Sequence, residues 1–268
     1  MVVLAHGLGA PRHARLDATA EALAEAGLPV LLFDYRHLGA SEGKPRQLVD
    51  IPRQLEDWRS AVAYARGISW TDPERVALFG TSFGGGHALL TAAEDGRIAA
   101  VVAQTPFLDG RARIDYRPKG LALAATLLAA YCDRVAGRLG LPPINIPICA
   151  AQGGIGVLTT PDALYGFRLL NVDGTGLNYA PARIILQIPN HRPALRARDV
   201  RCPVLYVLCI EDTLSPYRVA KRTVDATPTA EVHTYSGGHF DVYEPGGAIF
   251  QEATMAEIAF LRRCLSER

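Results

Sequence analysis

The sequence predicts an α/β protein, a doubly wound and mostly parallel sheet with helices on both faces. Three observations carry this. Short apolar runs alternate with stretches whose apolar residues recur at helical spacing. The apolar runs are continuous, as strands buried on both faces require. One of them, Val76-Ala77-Leu78-Phe79, leads into Gly80-Thr81-Ser82-Phe83-Gly84-Gly85 and then into a helical stretch, Ala88 to Ala93.

Taken in order, Val2 to Ala5 is a short apolar strand that ends at His6-Gly7-Leu8-Gly9. Leu16, Ala20, Leu23 and Ala24 mark a helix that Gly27 stops. Val30-Leu31-Leu32-Phe33 reads as a buried strand. Asp50 and Pro52 signal a helix start, and Leu55, Trp58, Ala61, Val62 and Ala65 supply its apolar face. Arg75 to Phe79, Ile98 to Ala103, Pro203 to Cys209 and Ala230 to Tyr235 read as further strands. A last helix carries Ile249, Ala253, Ala256 and Phe260 on one face. The stretch from Phe107 to about Val200 breaks the alternation. It holds a helix over Leu121 to Leu139, a Pro/Gly-rich middle from Leu141 to Pro161, and a helical piece near Pro161 to Leu170. The expected organisation is therefore a core of residues 1–106 and 201–268, with residues 107–200 inserted as a helical cap over the carboxyl ends of the strands.

Composition narrows the class. The 268 residues are 49% hydrophobic and 21% charged, ordinary for a globular chain able to bury a full core. A net charge of +1 points to neither nucleic acid nor an anionic membrane. The five cysteines (Cys132, Cys149, Cys202, Cys209, Cys264) are odd in number and widely spread. That pattern reads as free or buried thiols of a reducing, cytoplasmic compartment, without a disulfide framework or metal site. The longest apolar run, Gly120 to Cys132, reads as too short to span a bilayer. Met1 leads directly into the first strand, with no basic segment before it.

Gly80-Thr81-Ser82-Phe83-Gly84 has the makings of a strand–turn–helix elbow. A serine on so sharp a turn stands clear of the sheet, and glycines two residues to either side remove the Cβ atoms that would clash. A second copy of the spacing, Gly39-Ala40-Ser41-Glu42-Gly43, is followed by Lys44-Pro45, which does not start a helix. Ser41 therefore reads as a turn residue. A serine hydroxyl needs a histidine to take its proton and a carboxylate to orient that histidine. Of seven histidines, His239 in Ser236-Gly237-Gly238-His239-Phe240 directly follows the last strand and reads as the base. His6 reads as a brace for its loop and His87 as a packed helix residue. His13, His37 and His233 read as solvated surface. His191 and Phe107 are candidate substrate-binding residues. For the acid, Asp212 after the strand at Val204 to Cys209 has two rivals, Glu211 and Asp109. The order Ser82, Asp212, His239 suits this type of sheet.

With His6-Gly7-Leu8-Gly9, Asp34-Tyr35-Arg36, Gly80 to Gly84, Asp212 and Gly238-His239 in this order and spacing, the sequence resembles the α/β-hydrolase superfamily over nearly its whole length. Phe33-Asp34-Tyr35-Arg36, Gly43-Lys44-Pro45-Arg46-Gln47 and Gln54-Leu55-Glu56-Asp57-Trp58 resemble the dienelactone-hydrolase-like and X-Pro-dipeptidyl-peptidase-like branch, the polyketide transferase type above all. The resemblance implies an α/β-hydrolase fold with an eight-stranded sheet and a helical cap, a Ser-Asp-His triad, no cofactor, and an oxyanion hole made by the N–H groups of Leu8 and Phe83. Dienelactone hydrolases proper use a cysteine where Ser82 stands here, so their lactone chemistry does not carry over. The family usually has two strands before the first His-Gly. With Val2 to Ala5 as the first strand, the expectation is a sheet of about six strands, all parallel, lacking those N-terminal edge strands, with an apolar edge.

The expected function is a serine hydrolase that cleaves an ester or thioester of a small to medium apolar acyl group. An acyltransferase or cyclase using the same triad is the first alternative. A non-catalytic binding member of the fold is the second.

Overall fold

A computed structural model describes residues 1–112, 116–171, 174 and 177–266. In chain order its regular elements are β1 (Val2–Ala5), α1 (Leu16–Glu25), β2 (Val30–Leu32), α2 (Ile51–Gly67), β3 (Ala77–Thr81), α3 (Phe83–Glu94) and β4 (Ala100–Gln104). Then come α4 (Gly120–Arg138), β5 (Asn145–Ile146), α5 (Ala163–Leu170), β6 (Ala180–Pro181), β7 (Val204–Cys209), α6 (Tyr217–Ala226), β8 (Ala230–Tyr235) and α7 (Ala248–Ser266). Three 3₁₀ segments, Ala182–Leu186, Ile188–Asn190 and Pro193–Asp199, lead from β6 towards β7.

The central sheet has six strands in the order β2-β1-β3-β4-β7-β8, and every pairing is parallel. Alternate strand residues feed two apolar layers. Val3, Ala5, Leu78, Val101, Ala103 and Tyr206 face Trp58 and Val62 of α2, Ala88 and Leu89 of α3, and Ala220 of α6. Val2, Leu4, Phe79, Val102, Leu205 and Val207 face Leu16 and Leu23 of α1 and Ala253, Phe260 and Leu261 of α7. The continuous apolar runs follow from this double cover. Trp58 is fully buried, and its indole N–H donates to the Tyr35 hydroxyl at 2.9 Å, so its polar end is satisfied. Asp50 caps α2 as its signal suggested, its carboxylate accepting from the Arg53 N–H at 3.2 Å with Pro52 in the first turn.

The order reverses between β1 and β3, since β1 pairs with both β2 and β3. A crevice opens at such a switch point outside the carboxyl ends of the strands. Gly7 and Leu8 follow β1 there, and Ser82 and Phe83 follow β3.

Several expectations need correction. Val30 to Phe33 is not a buried strand: β2 is an edge, and Val30, Leu31 and Leu32 are half-buried. β8 is the opposite edge, and its middle residues Glu231 to Thr234 are exposed. Both follow from strand order, which residue-by-residue patterning does not encode. The strand before Ser82 runs through Thr81, so no gap separates it from the serine. His37 is buried, not solvated; its backbone N–H donates to the Glu42 carbonyl at 2.7 Å inside the loop closed over it. Finally, the apolar run from Gly120 belongs to a 19-residue helix, which by length and composition alone could cross a membrane. Of the segment 107–200, residues 113–115, 172–173 and 175–176 lie outside the described residues.

Candidate active site

Ser82 sits at φ 53°, ψ −118°, a backbone conformation an L-residue adopts only under constraint. The constraint is visible on every side. The Ser82 N–H donates to the Gln104 carbonyl at 2.8 Å, and the Ser82 carbonyl accepts from the N–H groups of Gly85 at 3.0 Å and Phe107 at 2.8 Å. A Cβ on Gly80 would lie 2.1 Å from the Gly84 carbonyl oxygen, and one on Gly84 would lie 2.5 Å from that of His6. Only glycine fits at either place, because the obstacles are backbone.

The sheet brings Ser82, His239 and Asp212 together from three elements far apart in sequence. The Ser82 hydroxyl donates to His239 Nε2 at 3.0 Å, and His239 Nδ1–H donates to Asp212 Oδ2 at 2.7 Å. The other carboxylate oxygen of Asp212 accepts from the N–H groups of Leu214 at 2.8 Å and Ser215 at 2.7 Å. Asp212 and His239 are both buried, so these bonds are shielded from competing water. The rivals lie elsewhere. Asp109 is held by Arg192 at 2.9 and 3.1 Å, and Glu211 is exposed. The Ser41 hydroxyl donates to the Asp34 carbonyl at 2.7 Å, as a turn residue does.

His6 braces the loop beside Ser82. Gly7 N–H donates to its Nδ1 at 2.6 Å, and its Nε2–H donates to the Ala14 carbonyl at 2.7 Å. Burial holds its pKa down at about 4, so the ring is neutral and this tautomer is locked. Gly7 itself passes close to the serine: a Cβ there would lie 2.9 Å from Ser82 Cβ. The N–H groups of Leu8 and Phe83 form no backbone hydrogen bond among the described residues, and Phe83 opens α3, where helix N–H groups have no partner within the helix.

Two spaces meet at Ser82. One lies between Leu8, Ile148, Phe167, Leu170, Phe240 and Tyr243 and includes the ring of His239. The other is bounded by Leu8, Phe83, Phe107, Val157 and Ile188, with Thr159, Thr160, Ser215 and Arg117 adding polar groups. Phe107 therefore reaches the serine. His191 lines neither space. It is buried behind Phe83, 4.7 Å between ring centroids, and close to Phe107 and His87, with its pKa lowered to about 3 by burial. His87 is likewise packed, its Nε2 bonded to Gln54 Oε1 at 3.0 Å.

Beneath the serine runs a chain of buried side chains that sequence reasoning missed. The Tyr243 hydroxyl donates to Thr81 Oγ1 at 2.5 Å, and Thr81 donates to Gln104 Oε1 at 2.8 Å. Gln104 Nε2 donates to Glu257 Oε1 at 2.9 Å. Glu257 is fully buried, and burial raises its carboxyl to about 8. No spacing connects positions so far apart. The one available signal was an acid, Glu257, at helical spacing from Ala253, Phe260 and Leu261 on an apolar face. Among the described residues no cluster of His, Cys, Asp or Glu could hold a metal.

Residues 1–149 match the family model described as serine aminopeptidase, S33, of the hydrolase type. The chain is similar to the quorum-quenching protein AidA of Acinetobacter baumannii, 41% identical over 98% of this chain and 86% of that one. It is similar to polyketide transferase af380 of Aspergillus fumigatus, 29% identical over 98% of this chain and 89% of that one. Among solved structures it is similar in fold to the α/β hydrolase GrgF from a Penicillium species, with a TM-score of 0.84 at 22% identity, covering 99% of this chain and 90% of that one. Six parallel strands, the switch-point crevice and these matches agree, and the chain belongs to the serine aminopeptidase S33 family of α/β-hydrolases.

Proposed function

We propose that this enzyme is a serine hydrolase cleaving an ester or thioester of a small to medium apolar acyl group. The observation that carries the reading is the continuous Ser82–His239–Asp212 relay, at 3.0 and 2.7 Å. In this reading His239 takes the proton of Ser82 as Oγ attacks the carbonyl. Asp212 keeps Nδ1 protonated, so Nε2 faces the serine as a base, and steadies the imidazolium that forms. The N–H groups of Leu8 and Phe83 receive the oxyanion, a stabilisation of about 3 kcal/mol for each donor. His239 then returns its proton to the leaving group, and a water deprotonated by the same ring releases the acid. The apolar walls favour an apolar acyl chain. Residues 107–200 serve as a cap, because Ile148, Leu158 and Phe167 wall the space above the serine.

Acyl transfer is the second reading. Relatives carry both kinds of name, polyketide transferase af380 and thiohydrolase aneE of Aspergillus aculeatus among them, and the same acyl-serine serves either outcome. A fluorophosphonate probe tests the nucleophile: it should label the protein and fail on Ser82→Ala. Partitioning separates the two readings. An ester substrate is supplied with rising alcohol or amine, and free acid is measured against transfer product. Acid should dominate; transfer product prevailing at millimolar acceptor, with acid release near background, replaces hydrolysis by transfer.

A further inference from the structure

The most anomalous surface of the molecule is the outward side of α4. Thr126, Ala130, Asp133 and Ala136 form one narrow buried stripe, and the helix packs on the 3₁₀ segment Ala182–Leu186 and on β5. Asp133 is buried and takes two hydrogen bonds from the Arg183 guanidinium, at 2.7 and 3.0 Å, which pins the helix along the fold. The opposite side carries a row at the i, i+3, i+7 spacing of a single helix face: Leu121, Ala124, Leu128, Tyr131 and Val135. Leu121 is 90% exposed, Leu128 65% and Val135 53%. From Leu121 to Val135, over about 21 Å, this is an apolar ridge, of a kind soluble monomers seldom leave open without a use.

Charge decides between occupants. From Tyr116 to Pro161 the only acidic residue is Asp133, and it is spent on Arg183. Of the basic residues of the same stretch, Lys119, Arg134 and Arg138 are exposed, while Arg117 turns to the second space at Ser82 and donates to the Gly110 carbonyl. Two such faces laid together would bring positive ends to positive ends, with no carboxylate to relieve them. A surface of anionic headgroups over acyl chains complements both features at once. We propose that α4 lies in the interface of an anionic lipid bilayer, with its apolar ridge among the acyl chains and its basic residues at the headgroups. The ridge sits one layer above the serine: Ile184, under α4, packs with Phe83, Val157 and Ile188, and Phe83, Val157 and Ile188 wall the second space at Ser82. An apolar substrate dissolved in the bilayer would then enter beside the site. The proposal does not depend on which acyl reaction Ser82 performs.

Co-sedimentation with vesicles tests it, using phosphatidylcholine alone and phosphatidylcholine mixed with phosphatidylglycerol. The protein should pellet with the mixed vesicles about tenfold or more tightly than with phosphatidylcholine, and release on raising salt. Leu128→Asp with Val135→Asp should abolish binding while hydrolysis of a short water-soluble ester is unchanged. Lys119→Gln with Arg138→Gln, at exposed positions where folding is not at stake, should weaken binding to the mixed vesicles alone. No pelleting with either vesicle overturns the proposal, and equal, salt-insensitive pelleting with both overturns its headgroup part. A dimer in light scattering that Leu128→Asp with Val135→Asp converts to monomer, without vesicle binding, replaces the bilayer by a second copy of the chain.

Discussion

The turn at Ser82 and the described residues between 107 and 200 are built in opposite ways. Around Ser82, backbone meets backbone: Gly80 and Gly84 leave no room for a methyl group, and the serine's own N–H and carbonyl are both bonded. The described residues between 107 and 200 form short strands, 3₁₀ turns and two helices, of which α4 buries only a narrow stripe. The first region holds a strained conformation because its surroundings overdetermine it. The second shapes a cavity while leaving apolar surface open. Close backbone packing is concentrated at the turn that carries Ser82, and exposed apolar surface on the outward side of α4.

Mutations can break this contrast, and the largest effect is expected at the serine. Ser82→Ala should lower turnover of any ester substrate by about ten-thousand-fold or more, measured by steady-state kinetics, without loss of melting temperature. Asp212→Asn should cost about as much, since it leaves the geometry but frees the imidazole tautomer.

Next comes the packing at the turn. Gly80→Ala places a methyl against the Gly84 backbone and should destabilise the fold by about 3 kcal/mol or more in urea unfolding. In the segment 107–200, Asp133→Ala should cost a comparable amount, about 3 kcal/mol, because it strands Arg183. Its signature differs: hydrogen exchange should quicken in α4 and Ala182–Leu186 while β3 and α3 stay protected. Burial alone would raise the Asp133 carboxyl, but the hydrogen bonds from Arg183 outweigh it and hold it low. Its contribution is therefore present above the ordinary carboxylate pKa and is lost as pH falls through the lowered value. Wild-type protein should lose α4 protection in acid before it loses the sheet.

Glu257 runs the other way. Its folded pKa of about 8 lies above the ordinary value of 4.5, so between these the folded state binds the extra proton. Stability is full at the acid end of that window and falls as pH rises towards about 8, by a few kcal/mol from this group. Glu257→Gln keeps an acceptor for Gln104 and should flatten that slope in melts across the window. The smallest effect is at Ser41. Ser41→Ala removes one turn hydrogen bond, should cost about 1 kcal/mol, and should leave probe labelling unchanged.

How much was legible varies by element. β1, β3, β4 and β7 were readable because strands buried on both faces show as unbroken apolar runs. α2 was readable from its Asp50 cap and its period. β2 and β8 were read as ordinary sheet strands, since an edge is a property of strand order. His37 looked like surface because its burial depends on a loop folding over it. Ser82 and His239 could be named from glycine context and position after a strand, and Asp212 could be ranked above its rivals on the same ground. The structure brings these three side chains within hydrogen-bonding reach.

By itself the sequence determined what local physics can express: the alternation of strand and helix, the glycines that permit a turn at Ser82, and the acid, base and hydroxyl placed after strands. The tertiary structure alone decided which acid faces His239, that Asp109 goes to Arg192, and that Gln104, Tyr243 and Glu257 join beneath the serine. It alone decided that α4 keeps its apolar ridge outward. The reason is physical: periodicity and turn chemistry act over a few residues, whereas these hydrogen-bond partners are set by packing between segments 27 to 162 positions apart.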